Sequence, residues 1–199
     1  MKIIPLIHLK KRKIIEPKHS GDHSLIKSLE RYKNKELYIL DHDGIEKNRP
    51  NLCLYQKLSK YHEIWVDAGP QVIGDVVDSL IAGATDITIR KNLWRDMNLS
   101  VIKEITENKI FRDVNLNNFN ISRAPSSLVY NFDGFVVFDK KNQIESDFKY
   151  AKYLKSICIK YETYVYEIKK TNALYWKKLG VKGLLTELEN IEEFENFEF

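Results

Sequence analysis

Eight side chains able to do chemistry stand at the ends of apolar runs: His8, Asp41, Asp67, Arg90, Asp113, Asp139, Glu167 and Glu187. An imidazole titrates near neutrality, so His8 suits a general acid or base; its structural alternative is a hydrogen-bonded core histidine. Asp41 and Asp139 are two carboxylates whose surroundings could split their acidities into an acid and a base. Each could equally cap a following turn or helix. Arg90, with Lys91 beside it, has the chemistry to hold a carboxylate or phosphate. Asp67, Asp113 and Glu167 join Arg90 as candidate substrate contacts, with Asn115 and Asn117 as alternatives to Asp113. Glu167 and Glu187 could instead pair with Lys169 and Lys170 or face solvent.

The motifs exclude several chemistries. Asp41-His42-Asp43 offers three ligands in one turn, of the oxygen-rich kind that magnesium or manganese accepts. No paired cysteine–histidine spacing suggests zinc, and no glycine-rich nucleotide loop or nucleophile elbow is present. The expected site therefore uses neither metal nor cofactor.

These residues need elements to position them. Eight short runs of Ile, Val, Leu, Tyr and Phe recur along the chain: Ile3–Leu9, Leu37–Asp41, Glu63–Asp67, Asp86–Arg90, Lys109–Asn115, Gly134–Asp139, Thr163–Ile168 and Gly183–Glu187. Most are apolar on consecutive residues, as in Phe135-Val136-Val137-Phe138, which marks strands covered on both faces. Helical spacing lies between them. Val72/Val76/Leu80 and Ile73/Val77/Ile81 form two rows ending at Gly83, and Leu25/Leu29/Tyr32, Leu52/Tyr55/Leu58, Leu99/Ile102/Ile105, Phe148 to Tyr161, Ala173/Trp176/Leu179 and Leu188/Ile191/Phe194 follow the same rule. Between Asn115 and Gly134 only Ser126–Tyr130 suggests a helix, so one unit looks shortened.

Alternating strands and helices predict an α/β fold, and eight units predict a small (β/α)8 TIM barrel as a single domain over residues 1–199. A faint repeat divides it. Leu37–Asp41 matches Phe135–Asp139 at an offset of 98, Glu63–Val66 matches Glu162–Val165 at 99, and Gly83–Ile89 matches Gly180–Thr186 at 97. Offsets near half the length predict two half-barrels. In such a barrel the eight chemical residues would ring the strands' C-terminal ends, where barrel chemistry lives.

Composition sets the setting. The chain has 199 residues, is 43% hydrophobic and carries a net charge of +4, with no apolar run long enough to span a bilayer. Cys53 and Cys158 are far apart in sequence, which fits a reduced, cytoplasmic protein. Residues 1–20 hold six Lys/Arg against one acid, and residues 187–199 hold six glutamates and no base. A basic patch can bind nucleic acid or an anionic metabolite, but no aromatic residues interleave this one, so it reads first as solvated surface.

The chain resembles the phosphoribosyl isomerase and cyclase barrels of histidine biosynthesis, which are half-barrel duplications. Their first strand is echoed by Ile4-Pro5-Leu6-Ile7-His8-Leu9-Lys10-Lys11-Arg12-Lys13-Ile14-Ile15, their second by Asp41-His42-Asp43-Gly44-Ile45, their third by Val66-Asp67-Ala68-Gly69-Pro70-Gln71, and Asp139 matches the sixth-strand aspartate. The resemblance implies a barrel with acid–base groups at its mouth. It departs at the site. His8 replaces a catalytic aspartate, and the fifth-strand aspartate has only Asp113 as its nearest counterpart. Three of the four glycine-rich phosphate sites lack glycine, and Asp67, Glu167 and Glu187 would repel phosphate there.

The expected function is therefore an isomerase or lyase step by proton transfer on a small polar metabolite, with His8, Asp41 and Asp139 as catalytic groups. The authentic bisphosphate isomerisation is not expected. The alternatives are a non-catalytic binding or assembly barrel, with Trp94, Tyr130 and Phe132 as its contact aromatics, and a drifted isomerase of histidine biosynthesis. Neither a membrane nor a nucleic-acid partner is expected; a homo-oligomer or protein partner stays open.

Overall fold

Strands made of consecutive apolar residues must be covered on both faces, and helices between them provide the cover. The computed structural model describes residues 1–15, 29, 31–32, 35–94, 98–115 and 132–195. The chain divides into two compact units: Pro5–Met97, and Asn98–Phe199 together with Met1–Ile4.

The first unit contains β1 (Lys2–Lys10, from Pro5 onward), β2 (Lys13–Ile15), β3 (Glu36–Asp41), α1 (His42–Lys47), α2 (Leu52–Leu58), β4 (Glu63–Asp67), α3 (Ile73–Ile81) and β5 (Ala84–Ile89). Its strands lie in the order β2-β1-β3-β4-β5. The pairs β1–β3, β3–β4 and β4–β5 are parallel, and β2 alone is antiparallel. Tyr38, Ile39, Trp65, Val66 and Ile89 are fully buried in its core.

The second unit contains α4 (Leu99–Ile105), β6 (Lys109–Val114), β7 (Gly134–Val137), α5 (Lys141–Ser146), α6 (Phe148–Lys160), β8 (Glu162–Tyr166), α7 (Ala173–Leu179), β9 (Gly183–Glu187) and α8 (Ile191–Glu195). The parallel order is β6-β7-β8-β9. The first residues of β1 belong here and lie beside β9, with the Lys2 N–H donating to the Lys182 carbonyl at 3.1 Å. Trp176 and Phe194 fill the core between helices and strands.

The eight expected strands all form, with no end shifted by more than two residues. Arg90 and Asp139 consequently lie just past β5 and β7 rather than inside them. Three features depart from the sequence reading. In α3, Val76 is buried but Ile81 and Val72 are largely exposed, and Ser79 takes a core position by donating its hydroxyl to the Asp75 carbonyl at 2.9 Å. The helix α1 forms without an apolar stripe. The basic run after β1 turns back as a hairpin. The Ser126–Tyr130 segment, Asn117 and Leu25 lie outside the described residues, while Leu29 and Tyr32 are buried.

The hairpin turn is Lys11-Arg12, both left-handed at φ 52° and 60°, with Lys10 opposite Lys13. A two-residue turn of this hand favours Asn-Gly, because side chains with ordinary Cβ atoms are strained there. Replacing Lys11→Asn together with Arg12→Gly should therefore stabilise the protein by about 1 kcal/mol, read from the shift in urea midpoint.

Candidate functional site

Asp41 ends β3 and is fully buried. Its Oδ1 accepts from the backbone N–H groups of Asp43 (3.0 Å) and Gly44 (3.2 Å) and from Asn51 Nδ2 (2.7 Å). Its Oδ2 accepts from the Asn51 N–H at 2.7 Å and from the Tyr55 hydroxyl. These bonds cap α1 and pin the loop into α2, so the capping alternative for Asp41 is the one realised. Burial, and then the Asp41 charge, raise the Tyr55 pKa far above the ordinary phenol value, which keeps Tyr55 a donor.

The other sequence-selected residues fall into separate clusters. In the first unit, Asp67 is fully buried and holds Arg90 through two bonds, Nε to Oδ1 at 2.9 Å and Nη2 to Oδ2 at 2.8 Å. Tyr38 donates to Asp67 at 3.0 Å, and Thr88 joins Tyr38 to the Trp65 indole. Arg90 is thus committed to a carboxylate of its own chain rather than presented with Lys91 to a ligand.

In the second unit, Asp139 accepts the Tyr150 hydroxyl at 2.5 Å, and Asp113 accepts from Asn115 at 3.3 Å. Glu167 is buried and takes the Lys169 N–H, Asn172 Nδ2 and Trp176 Nε1, all at 2.9 Å. That corrects the expected pairing with the Lys169 and Lys170 ammonium groups: short-range donors reach Glu167 first and fix the turn into α7. Glu187 is buried too and accepts the Tyr166 hydroxyl at 2.6 Å. Of the contact aromatics, Phe132 is buried and packs near Phe135, Trp94 is half-buried, and Tyr130 lies outside the described residues.

His8 is part-buried and meets a residue the sequence reading placed elsewhere. Its Nδ1 lies 2.9 Å from His42 Nε2, and the two rings are nearly parallel, at 16°, with centroids 5.1 Å apart. On its other side, His42 Nδ1 stands 3.8 Å from Glu46, whose carboxylate also takes Lys10 Nζ at 3.2 Å. Burial lowers the His42 pKa, and the neighbouring His8 and Lys10 lower it further against the pull of Glu46 and Asp41. A proton between two ring nitrogens at this distance can pass from one to the other, so the geometry allows proton exchange within the pair.

The Asp41-His42-Asp43 triplet does not converge. Asp41 turns inward, His42 goes to His8, and Asp43 takes Lys47 Nζ at 2.9 Å. Among the described residues no three His, Cys, Asp or Glu side chains cluster to hold a metal. No helix among them is long and apolar enough to cross a membrane.

The first unit also contains an open cleft of about 860 Å³. Lys11 and Arg12 of the hairpin turn, Lys47 of α1, Arg49, and Lys57 of α2 face it, with Asp43 as its carboxylate. Lys47, then Asn51 and the Lys11 N–H, hold the Asp43 carboxyl down at about 2 against burial. In the sequence, the basic cluster over residues 1–20 points to one side of this cleft. The Asp43/Lys47 pair, four apart, was the available signal for the rest.

No protein-family model matches the chain, and no curated protein is significantly similar to it.

Two outcomes follow from these contacts. Asp41→Ala strands the Asn51 and Tyr55 donors in a buried space and should cost about 3 kcal/mol or more, with Tyr55→Phe costing about 1 kcal/mol, both by urea denaturation. Asp43 has a depressed folded pKa, so its contribution is present above the unfolded value of 3.8 and is lost as pH falls toward 2. The stability gap between wild type and Asp43→Asn should hold constant above about pH 5 and close on acidification through that window.

Proposed function

We propose that the two units are halves of a (β/α)8 barrel of the histidine-biosynthesis isomerase and cyclase type, and that the protein is an acid–base enzyme of the isomerase or lyase class acting on a small polar metabolite. Support for the barrel comes from β1, which begins beside β9 and continues beside β3. Further support is internal. Asp41–Tyr55 in one unit and Asp139–Tyr150 in the other are the same aspartate–tyrosine pairing. Gly83 and Gly180, 97 apart, both end helices at positive φ.

The His8–His42 contact carries the chemical reading. With His42 neutral and its Nδ1–H directed to Glu46, His42 Nε2 accepts the proton on His8 Nδ1. That tautomer leaves the lone pair on His8 Nε2, the atom that takes a proton from a carbon or hydroxyl acid. As the proton arrives, His8 becomes cationic, and His42 and Glu46 spread the charge. The reverse transfer returns the proton to a neighbouring carbon in an isomerisation, or to a leaving group in an elimination, so protons balance over a cycle. Asp41 is a positioning residue here: it starts α1 at the residue before His42. Bisphosphate isomerisation is set aside, because Asp67 is occupied by Arg90, and Glu167 and Glu187 are buried carboxylates where that family holds phosphate.

A thermal-shift screen of sugar phosphates, amines and carboxylates identifies the substrate. With it in hand, His8→Ala and His42→Ala should each lower kcat by about a hundredfold or more while leaving the melting temperature nearly unchanged. His42 accepts from His8 only while it is unprotonated, so activity should fall as pH is lowered through the His42 titration, which burial and the neighbouring His8 and Lys10 place below the ordinary histidine value of 6.5. Unchanged turnover in both variants would remove the histidines from the chemistry.

A further inference from the structure

We propose that the basic cleft of the first unit binds a small molecule bearing a compact oligoanionic head of the diphosphate-ester type. Neither His8 nor His42 lines this cleft, so the inference stands apart from the acid–base reading.

The charge count points to the ligand. Among the described residues, five cations surround one concavity that contains a single carboxylate. Asp43 is spoken for by Lys47 at 2.9 Å. Among the described residues, no carboxylate comes within ion-pair distance of Lys11, Arg12, Arg49 or Lys57. Four like charges facing one hollow repel each other and focus a positive potential into it. A phosphate monoester brings nearly two negative charges and a diphosphate about three, which is close to balance for these four cations. Arg12 and Arg49 supply planar forks that match phosphate oxygens, and the lysines supply mobile point charges.

Shape and strain agree with charge. A volume of about 860 Å³ lies within the range of small-ligand pockets. Pro50, Leu52 and Leu54 give one wall an apolar surface for the uncharged body of the ligand. Among the described residues no aromatic side chain lines the cleft, so they offer no stacking platform of the kind single-stranded nucleic acid uses. Lys11 and Arg12 occupy left-handed backbone positions where Asn-Gly would be relaxed, and such strain is characteristic of residues held in place for a ligand. The opposite wall is rigid, since Asn51 is bonded to Asp41 through both its backbone and its side chain. None of the strand ends where the resembled family grips phosphate contributes to this lining.

Isothermal titration of the full chain at low ionic strength tests the proposal, with inorganic pyrophosphate, orthophosphate and a short single-stranded DNA as probes. Pyrophosphate should bind about tenfold or more tighter than orthophosphate, with affinity falling steeply as salt is raised. Arg12→Glu with Arg49→Glu should weaken it by about a hundredfold, with folding verified by circular dichroism. Lys11→Asn with Arg12→Gly should weaken binding while raising the melting temperature, which separates lost contacts from lost structure. His8→Ala should leave binding unchanged, so failure of the acid–base reading does not touch this result. Absence of pyrophosphate binding up to about 10 mM, unaltered binding in the double charge reversal, or tighter binding of the DNA than of pyrophosphate would each overturn the proposal.

Discussion

One buried carboxylate organises the first unit. Asp41 receives three backbone N–H groups, an amide and a phenol. A buried carboxylate must be met by donors, and five donors meet this one. The segment from residue 42 to residue 58 is arranged to deliver them, which explains why a six-residue polar helix can exist there at all. His42, Asp43 and Lys47 take their positions from that helix, and Arg49 and Lys57 follow from the loop it anchors. Both the imidazole pair and the basic cleft are therefore consequences of the same charge. The rest of the unit contributes the frame: β1 carries His8 to its end, and the hairpin brings Lys11 and Arg12 around.

The second unit repeats the scheme with altered chemistry. Asp139 is held by the hydroxyl of Tyr150, as Asp41 is by that of Tyr55, but Asp139 lies two residues past its strand and is half-buried. Lys140 and Lys141 stand at the offset that would align them with His42 and Asp43, so neither an imidazole pair nor a capped acidic turn recurs. Gly83 and Gly180 hold equivalent places after their helices, but Gly83 lies tight against Ser59, while Gly180 leaves ordinary contact room beside Cys158. The frame is common to both units, and the reactive groups are not.

The strands were legible in the sequence because burial on both faces leaves little choice but consecutive apolar residues. Helices with a stripe were legible for the same reason: α2, α4, α6 and α7 occupy the expected positions. Elements held by polar bonds were not. The helix α1 has no periodicity to detect, and its cause is Asp41, which precedes it. The strand β2 is hidden in a charge run whose turn lacks the usual Asn-Gly. Asp67 and Arg90 were both singled out, but not as partners of each other, since their meeting depends on neighbouring strands β4 and β5. His42 was read as a possible metal ligand. Its partner is His8, 34 residues earlier, and only the β1–β3 pairing makes them neighbours. The cleft was hardest to see, because its cations are scattered over three segments and each alone resembles solvated surface.

The first strand has an unusual place in synthesis. From Pro5 onward it belongs with residues that are all made by position 97, yet Met1–Ile4 belong with the last-made half. During synthesis every residue of the first unit is made before Asn98–Phe199 of the second. Completing the second requires joining Lys2 to Lys182, almost the full length of the chain apart. Closing so long a loop is slow relative to local pairing. Met1–Ile4 can therefore pair only once Gly183–Glu187 has been made, long after the rest of β1 has its own partner strand.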